Sequence, residues 1–177
     1  MSQMKKVTGD DRRNFLLETL KNSKEPITGG DLATLTSVSR QVIVGDITLL
    51  KARNEPIIAT SQGYLYMHMP SPALLERIVA CMHPPDRTEE ELILIVDQGA
   101  TVKDVRIEHP VYGDLIASIM VSNRREVKKF MEKILVTNAG YLSELTEGVH
   151  LHTIAASSES ILNDAEEALR KAGFLIG

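Results

Sequence analysis

The segment Met69-Pro70-Ser71-Pro72 stops any regular element that reaches it. Each proline fixes its own φ and lacks an amide donor, and each pushes the residue before it out of helical geometry. The hydrophobic rhythm differs on the two sides of this segment, so it reads as a linker between two modules, residues 1–69 and 73–177. Charge divides at the same place. Residues 1–70 hold nine Lys and Arg against seven Asp and Glu, whereas residues 71–177 hold 11 against 17. A slightly basic front joined to an acidic back suggests modules with different partners. Aromatic residues make up 4% of the chain, so both cores must be built from Ile, Leu, Val, Ala and Met. No apolar run approaches the ~18 residues of a membrane span. The start, Met1 to Lys6, lacks the apolar stretch of a secretory signal. A single cysteine, Cys81, rules out an intrachain disulfide and fits a reducing cytoplasm. Following Ile78-Val79-Ala80, it reads as a buried, inert thiol rather than a nucleophile.

In the front module, Asp10 or Asp11 caps a helix running to Leu20 or Asn22, with Phe15, Leu16 and Leu20 on one face and Leu17 beside it. Pro26 blocks its continuation. Thr28, with Asp31 three residues later, opens a short second helix holding Leu32, Ala33 and Leu35 as a weak variant of the capping box. The turn Thr36-Ser37-Val38-Ser39 leads into a third helix, Arg40 to Arg53. Ser39 is its N-cap, and Ile43, Ile47 and Leu50 recur at i, i+4, i+7 toward the core. Two helices joined by a short turn, the second opening with polar residues, form a helix-turn-helix. Arg40 and Gln41 stand where that motif reaches base edges, Arg donating twice to guanine and Gln pairing with adenine. Val44, Gly45 and Thr48 share the outward face, and Thr36, Ser37, Lys51 and Arg53 are placed for phosphates. The expected DNA-binding set is Ser37, Ser39, Arg40, Gln41, Val44, Thr48 and Lys51. Gly45 marks either close approach to DNA or mere tolerance in a packed helix. The apolar runs Ile57–Ala59 and Tyr64–Met67 around Gly63 read as a β-hairpin wing. A protein-binding module would share this outline, but the wing and the local charge favour double-stranded DNA.

The back module alternates differently. The pattern predicts strands over Leu75–Met82, Val102–Glu108, Leu115–Val121 and His150–Ala155, with Phe174–Ile176 as a further candidate. It predicts helices over Thr88–Val96, Glu126–Leu135 and Ile161–Lys171. Asn123 with Glu126 forms a capping box, and Gly173 closes the last helix. The order β-α-β-β-α-β, then α-β, predicts a ferredoxin-like α/β sandwich with a mostly antiparallel sheet. The whole chain is therefore of the α+β class, a winged helix-turn-helix followed by that sandwich. Such a core serves many functions, so its activity must come from its site.

Within Gly148-Val149-His150-Leu151-His152-Thr153-Ile154, side chains at i and i+2 of a strand point to one face. His150 and His152 therefore converge, as ligands of a metal ion do, or stand as two solvent-facing histidines. His83 ends a predicted strand before Pro84-Pro85, and Glu91 lies in the first turn of the next helix. Glu91 can approach His83. It also completes a capping box with Thr88, and from spacing alone the cap is the stronger reading.

These strings together, with Glu108-His109-Pro110-Val111-Tyr112-Gly113 and the helix-turn-helix ahead of them, closely resemble the niacin-responsive transcriptional repressors. The resemblance runs from about Asp10 to Ile176. It implies a three-histidine metal- and effector-binding domain over 73–177, with His83, Glu91, His150 and His152 holding a divalent transition metal such as nickel, zinc or iron. That implication reverses the cap reading of Glu91. His109 and Tyr112 belong to the motif and are placed near the effector, although a turn histidine bonded to backbone accounts equally for His109. The resemblance further implies nicotinic acid as co-repressor, a homodimer on operator DNA, and target genes for NAD biosynthesis and niacin uptake. Two other classes remain: a repressor that senses the metal itself, and a metal-dependent hydrolase, for which no nucleophile–base pair or phosphate loop is present.

Overall fold

The computed structural model describes residues 9–68 and 74–177, and the expected linker Met69-Pro70-Ser71-Pro72 lies outside the described residues. The chain forms two compact units, one within residues 1–71 and one within 72–177.

The front unit runs α1 (Gly9–Asn22), α2 (Gly29–Thr36), α3 (Arg40–Ala52), β1 (Ile57–Thr60) and β2 (Gly63–Tyr66). Thr28 caps α2 by accepting from the Asp31 amide at 3.1 Å, and Ser39 caps α3 by accepting from Val42. Leu16, Leu20, Leu32, Ile43, Ile47, Leu50 and Ile57 close one core. Two expectations change. The helix has already begun at Gly9, so Asp10 and Asp11 lie in its first turn instead of capping it, and Asp10 pairs with Arg13 at 2.7 Å. Phe15 is 48% exposed, because a step of about 100° per residue carries it off the face that Leu16 and Leu20 share. A polar tie also joins α1 and α3. Asp46, 3% exposed, accepts from Arg12 Nε at 2.6 Å and from Arg13 at 3.0 Å. This half-buried triad ties α1 to α3. The hairpin β1–β2 is joined by Ile27, which exchanges backbone bonds with Tyr64 at 2.9 and 2.8 Å. Gly63 has φ +135°, and a Cβ there would lie 2.4 Å from the Ile27 carbonyl oxygen, so only glycine lets these segments pair.

The back unit runs β3 (Leu75–Met82), α4 (Thr88–Asp97), β4 (Thr101–Val102), β5 (Val105–His109), β6 (Gly113–Ala117), α5 (Arg124–Thr137), β7 (Val149–Ala156) and α6 (Glu159–Lys171). Short 3-10 turns precede α4 (Pro85–Arg87) and β7 (Leu142–Thr146). The sheet order is β3-β7-β5-β6, antiparallel at every step, and β4 also pairs with β7. The split β-α-β is present: β3 and β5 run parallel, and the last strand, β7, fills the gap between them. Val79, Cys81 and Ile154 face a core shared with Leu92 and Ile95 of α4, Val127 of α5, Leu162 and Leu169 of α6, and Phe174.

The strand expected over Val102–Glu108 is broken at Lys103 and Asp104. The Asp104 carboxylate accepts from the Thr153 amide at 2.9 Å, and its carbonyl turns inward. The strand expected to reach Val121 ends at Ala117, and Val121 returns to bond Val102. The candidate Phe174–Ile176 strand is a single bridge, Cys81 to Leu175. Asn123 caps α5, but Glu126 accepts from the Ser122 amide, one residue beyond the position a capping box uses.

Candidate metal centre and nucleic-acid interface

Alternation along β7 turns His150 and His152 to the helix side of the sheet, where both are buried. His83 follows the end of β3, and Glu91 is the residue of α4 that meets all three rings. His83 Nε2 lies 2.7 Å from Glu91 Oε2, His150 Nε2 lies 3.1 and 3.2 Å from its two oxygens, and His152 Nε2 lies 3.2 Å from Oε2. Glu91 itself is fully buried. It does not cap Thr88: α4 has no side-chain cap, and the buried Thr88 hydroxyl has no hydrogen-bond partner. The structure thus corrects the spacing-only reading, because the first-turn carboxylate points along the helix into the histidine cluster.

The other ring nitrogens settle the chemistry. His83 Nδ1 lies 2.8 Å from the Pro84 carbonyl, His150 Nδ1 2.8 Å from that of Gly148, and His152 Nδ1 2.6 Å from that of Asp104. A carbonyl oxygen only accepts, so each Nδ1 carries the proton and each neutral ring turns a lone pair toward Glu91. Three lone pairs and a carboxylate then face one another without a donor. Protons on the rings or a cation resolve this. Burial lowers the His83 and His152 pKa values, but Glu91 outweighs it and leaves both raised. Burial likewise pushes the Glu91 carboxyl up, yet the imidazoles, His152 foremost, hold it well below the ordinary carboxylate range. Three imidazoles and a carboxylate, each ring oriented by a backbone carbonyl, are a donor set suited to a divalent transition metal. The approach of the two strands depends on Gly148, at φ +91°, where a Cβ would fall 2.4 Å from the His83 carbonyl oxygen.

The cluster lines a cavity of about 600 Å³. Its walls are apolar, with Leu92, Val105, Ile119, Phe130 and Ile134, while Thr88, Tyr141 and Ser143 add polar groups.

On the front unit, Arg40, Gln41, Thr48 and Lys51 are exposed along one side of α3, opposite Ile43, Ile47 and Leu50. Val44 is half-buried beside them, and Ser37 and Ser39 are exposed at the turn entering the helix. Arg40 and Lys51 have no ion-pair partner among the described residues. The Ser39 hydroxyl is engaged as the helix cap, and Thr48 donates to the Val44 carbonyl at 2.7 Å. A Cβ at Gly45 would meet nothing within 4 Å, so this position is open.

Known proteins share both units. A helix-turn-helix (HTH) domain profile matches residues 12–65, and a 3H domain profile matches residues 76–177. The transcription repressor NadR of Bacillus subtilis (strain 168) is 60% identical over 178 residues, 99% of each chain. The chain belongs to the niacin-responsive transcriptional repressor family. The probable transcription repressor NiaR of Thermotoga maritima is 40% identical over 171 residues, 97% of each chain. The protein is a DNA-binding transcription repressor. Among the described residues, no helix is long and apolar enough to cross a membrane.

In this repressor the expected site residues separate. His83, Glu91, His150 and His152 come together; His109 and Tyr112 do not join them. Both lie at the tip of the β5–β6 hairpin, outside the cavity, with Tyr112 75% exposed. His109 Nδ1 accepts from the Val111 and Tyr112 amides at 3.1 and 3.2 Å, which is the turn-histidine alternative. The sequence reading takes Cys81 for a buried, inert thiol, and it is buried beside the cluster. Its Sγ, a Glu91 oxygen and a His150 ring nitrogen lie within 4.8 Å of one another. Burial raises the Cys81 pKa further from the neutral range. The i, i+2 rule that paired His150 with His152 also pairs Cys81 with His83, and that was the available signal.

Proposed function

We propose that this repressor shuts off genes for NAD biosynthesis and niacin uptake when nicotinic acid binds beside a metal ion held by His83, Glu91, His150 and His152. The observation carrying the proposal is the convergence of three backbone-oriented imidazoles on a buried carboxylate lining an apolar cavity. Nicotinic acid is a flat ring with one carboxylate. The cavity offers Ile119, Phe130 and Ile134 to the ring, and the histidines to the carboxylate. A bound nickel, zinc or iron(II) ion would supply positive charge and a free coordination position there. The effector contacts are thus assigned to the cavity wall in place of His109 and Tyr112. In the cytoplasm, effector binding favours a homodimer geometry that seats two copies of α3 in successive major grooves, with half-sites about 10 base pairs apart or a multiple of that. The coupling requires that the effector bind the DNA-competent state more tightly than the other. Arg40 and Gln41 read bases, while Ser37, Ser39 and Lys51 line the phosphates and Val44 and Thr48 fill the groove-facing side.

Gel retardation of operator DNA by chelator-stripped protein, with metal and nicotinate added separately and together, tests this. The expected result is tight retardation only with both. Full retardation with metal alone would make the ion the signal, and no response to nicotinate through the millimolar range would reject it as co-repressor.

A further inference from the structure

The β3–β7 register sets Cys81 directly opposite His150. Cross-strand partners project to the same side of a sheet with their Cβ atoms about 5 Å apart. The Cys81 thiol therefore enters the same buried space as the His150 ring and meets Glu91 from α4. Cys81 Sγ, a Glu91 oxygen and a His150 nitrogen lie within 4.8 Å of one another, close to the roughly 4.6 Å that two ligands at about 2.0–2.3 Å from one ion can reach. Cys81 packs in the apolar core, and core filling alone would leave it only carbon neighbours. This one is fully buried beside a carboxylate and an imidazole whose free nitrogen points at that carboxylate.

We infer that Cys81 is a ligand of the same metal ion, a thiolate added to the three imidazoles and the carboxylate. This rests on the metal reading above and deepens it. As the sulfur–metal bond forms, the S–H bond gives its proton to solvent, and no electron is transferred. Cys81 then decides which ions the site retains. A soft sulfur donor favours zinc, nickel and iron(II) over the hard ions manganese and magnesium, which an all-N/O set excludes less well.

Cobalt(II) titrated into the chelator-stripped full chain separates the two claims. Visible d–d bands report binding to the cluster, and a near-ultraviolet sulfur-to-cobalt charge-transfer band reports thiolate ligation. The wild-type protein is expected to show both. Cys81→Ser should keep the visible bands, lose the near-ultraviolet band, and reduce the preference for zinc over manganese by about tenfold or more. Visible bands without a charge-transfer band in the wild type would overturn Cys81 as ligand and leave the metal reading standing. An unchanged spectrum in Cys81→Ser would do the same. Absence of all cobalt bands would overturn both. If Cys81→Ser does not fold, the wild-type spectrum decides alone.

Discussion

Asp46 and Glu91 are buried carboxylates, one in each unit, and their surroundings are opposite. Asp46 in α3 meets only donors, the guanidinium groups of Arg12 and Arg13. Its charge is answered within the protein, and its role is to lock α1 against the helix that faces DNA. Glu91 in α4 meets three imidazole nitrogens whose partner nitrogens are already committed to backbone carbonyls. Its surroundings call for protons on the rings or for a cation. Burial alone therefore does not separate scaffold from site; the balance of donors and acceptors around the buried charge does.

The contrast is broken most severely by exchanging each carboxylate for its amide. Glu91→Gln should lower metal affinity by more than the 10–100-fold that loss of an outer-shell partner typically costs. At about pH 8 the metal-free variant should melt no lower than the metal-free parent, because the new amide donates to the imidazole lone pairs. Asp46→Asn should do the reverse, destabilising the front unit by on the order of 3 kcal/mol in denaturant unfolding while metal content stays unchanged. Equal loss of stability from both exchanges would erase the distinction.

Acid sharpens it. His83 and His152 are raised in the metal-free cluster, so they hold protons at higher pH than free imidazole does. Metal binding expels those protons, so affinity must rise with pH and fall on acidification. Calorimetry at pH 8 and pH 6 should show a drop of at least about tenfold. Smaller effects belong to α3. Arg40→Ala should cost about 1–3 kcal/mol of operator binding in a retardation assay, with unchanged thermal unfolding. Ser39→Ala should cost about 1 kcal/mol of front-unit stability through loss of the α3 cap.

The front unit was legible because its signals are local. Thr28, Ser39 and the Ile43-Ile47-Leu50 stripe each act over a few residues and lie where their spacing predicts. Phe15 was misread because neighbouring apolar residues on a helix do not share a face. The back unit was legible in its elements and less so in its site. Glu91 was ambiguous because a cap and an inward-pointing ligand both ask for a carboxylate in the first helical turn. The break at Asp104 arises from a long-range bond to Thr153 that no local pattern encodes. The cavity wall is made of ordinary apolar residues on α5 and near β6, which carry no mark in the sequence. The conspicuous His109-Pro110-Val111-Tyr112-Gly113 string forms an exposed hairpin end instead.

The central claim is that the cluster around Glu91 holds a metal ion, and elemental analysis of the purified full chain tests it most directly. The account predicts about one nickel, zinc or iron per chain, and none in a His150→Ala/His152→Ala variant that keeps its circular-dichroism spectrum. A folded wild-type protein that carries no transition metal and takes none up on titration would contradict it.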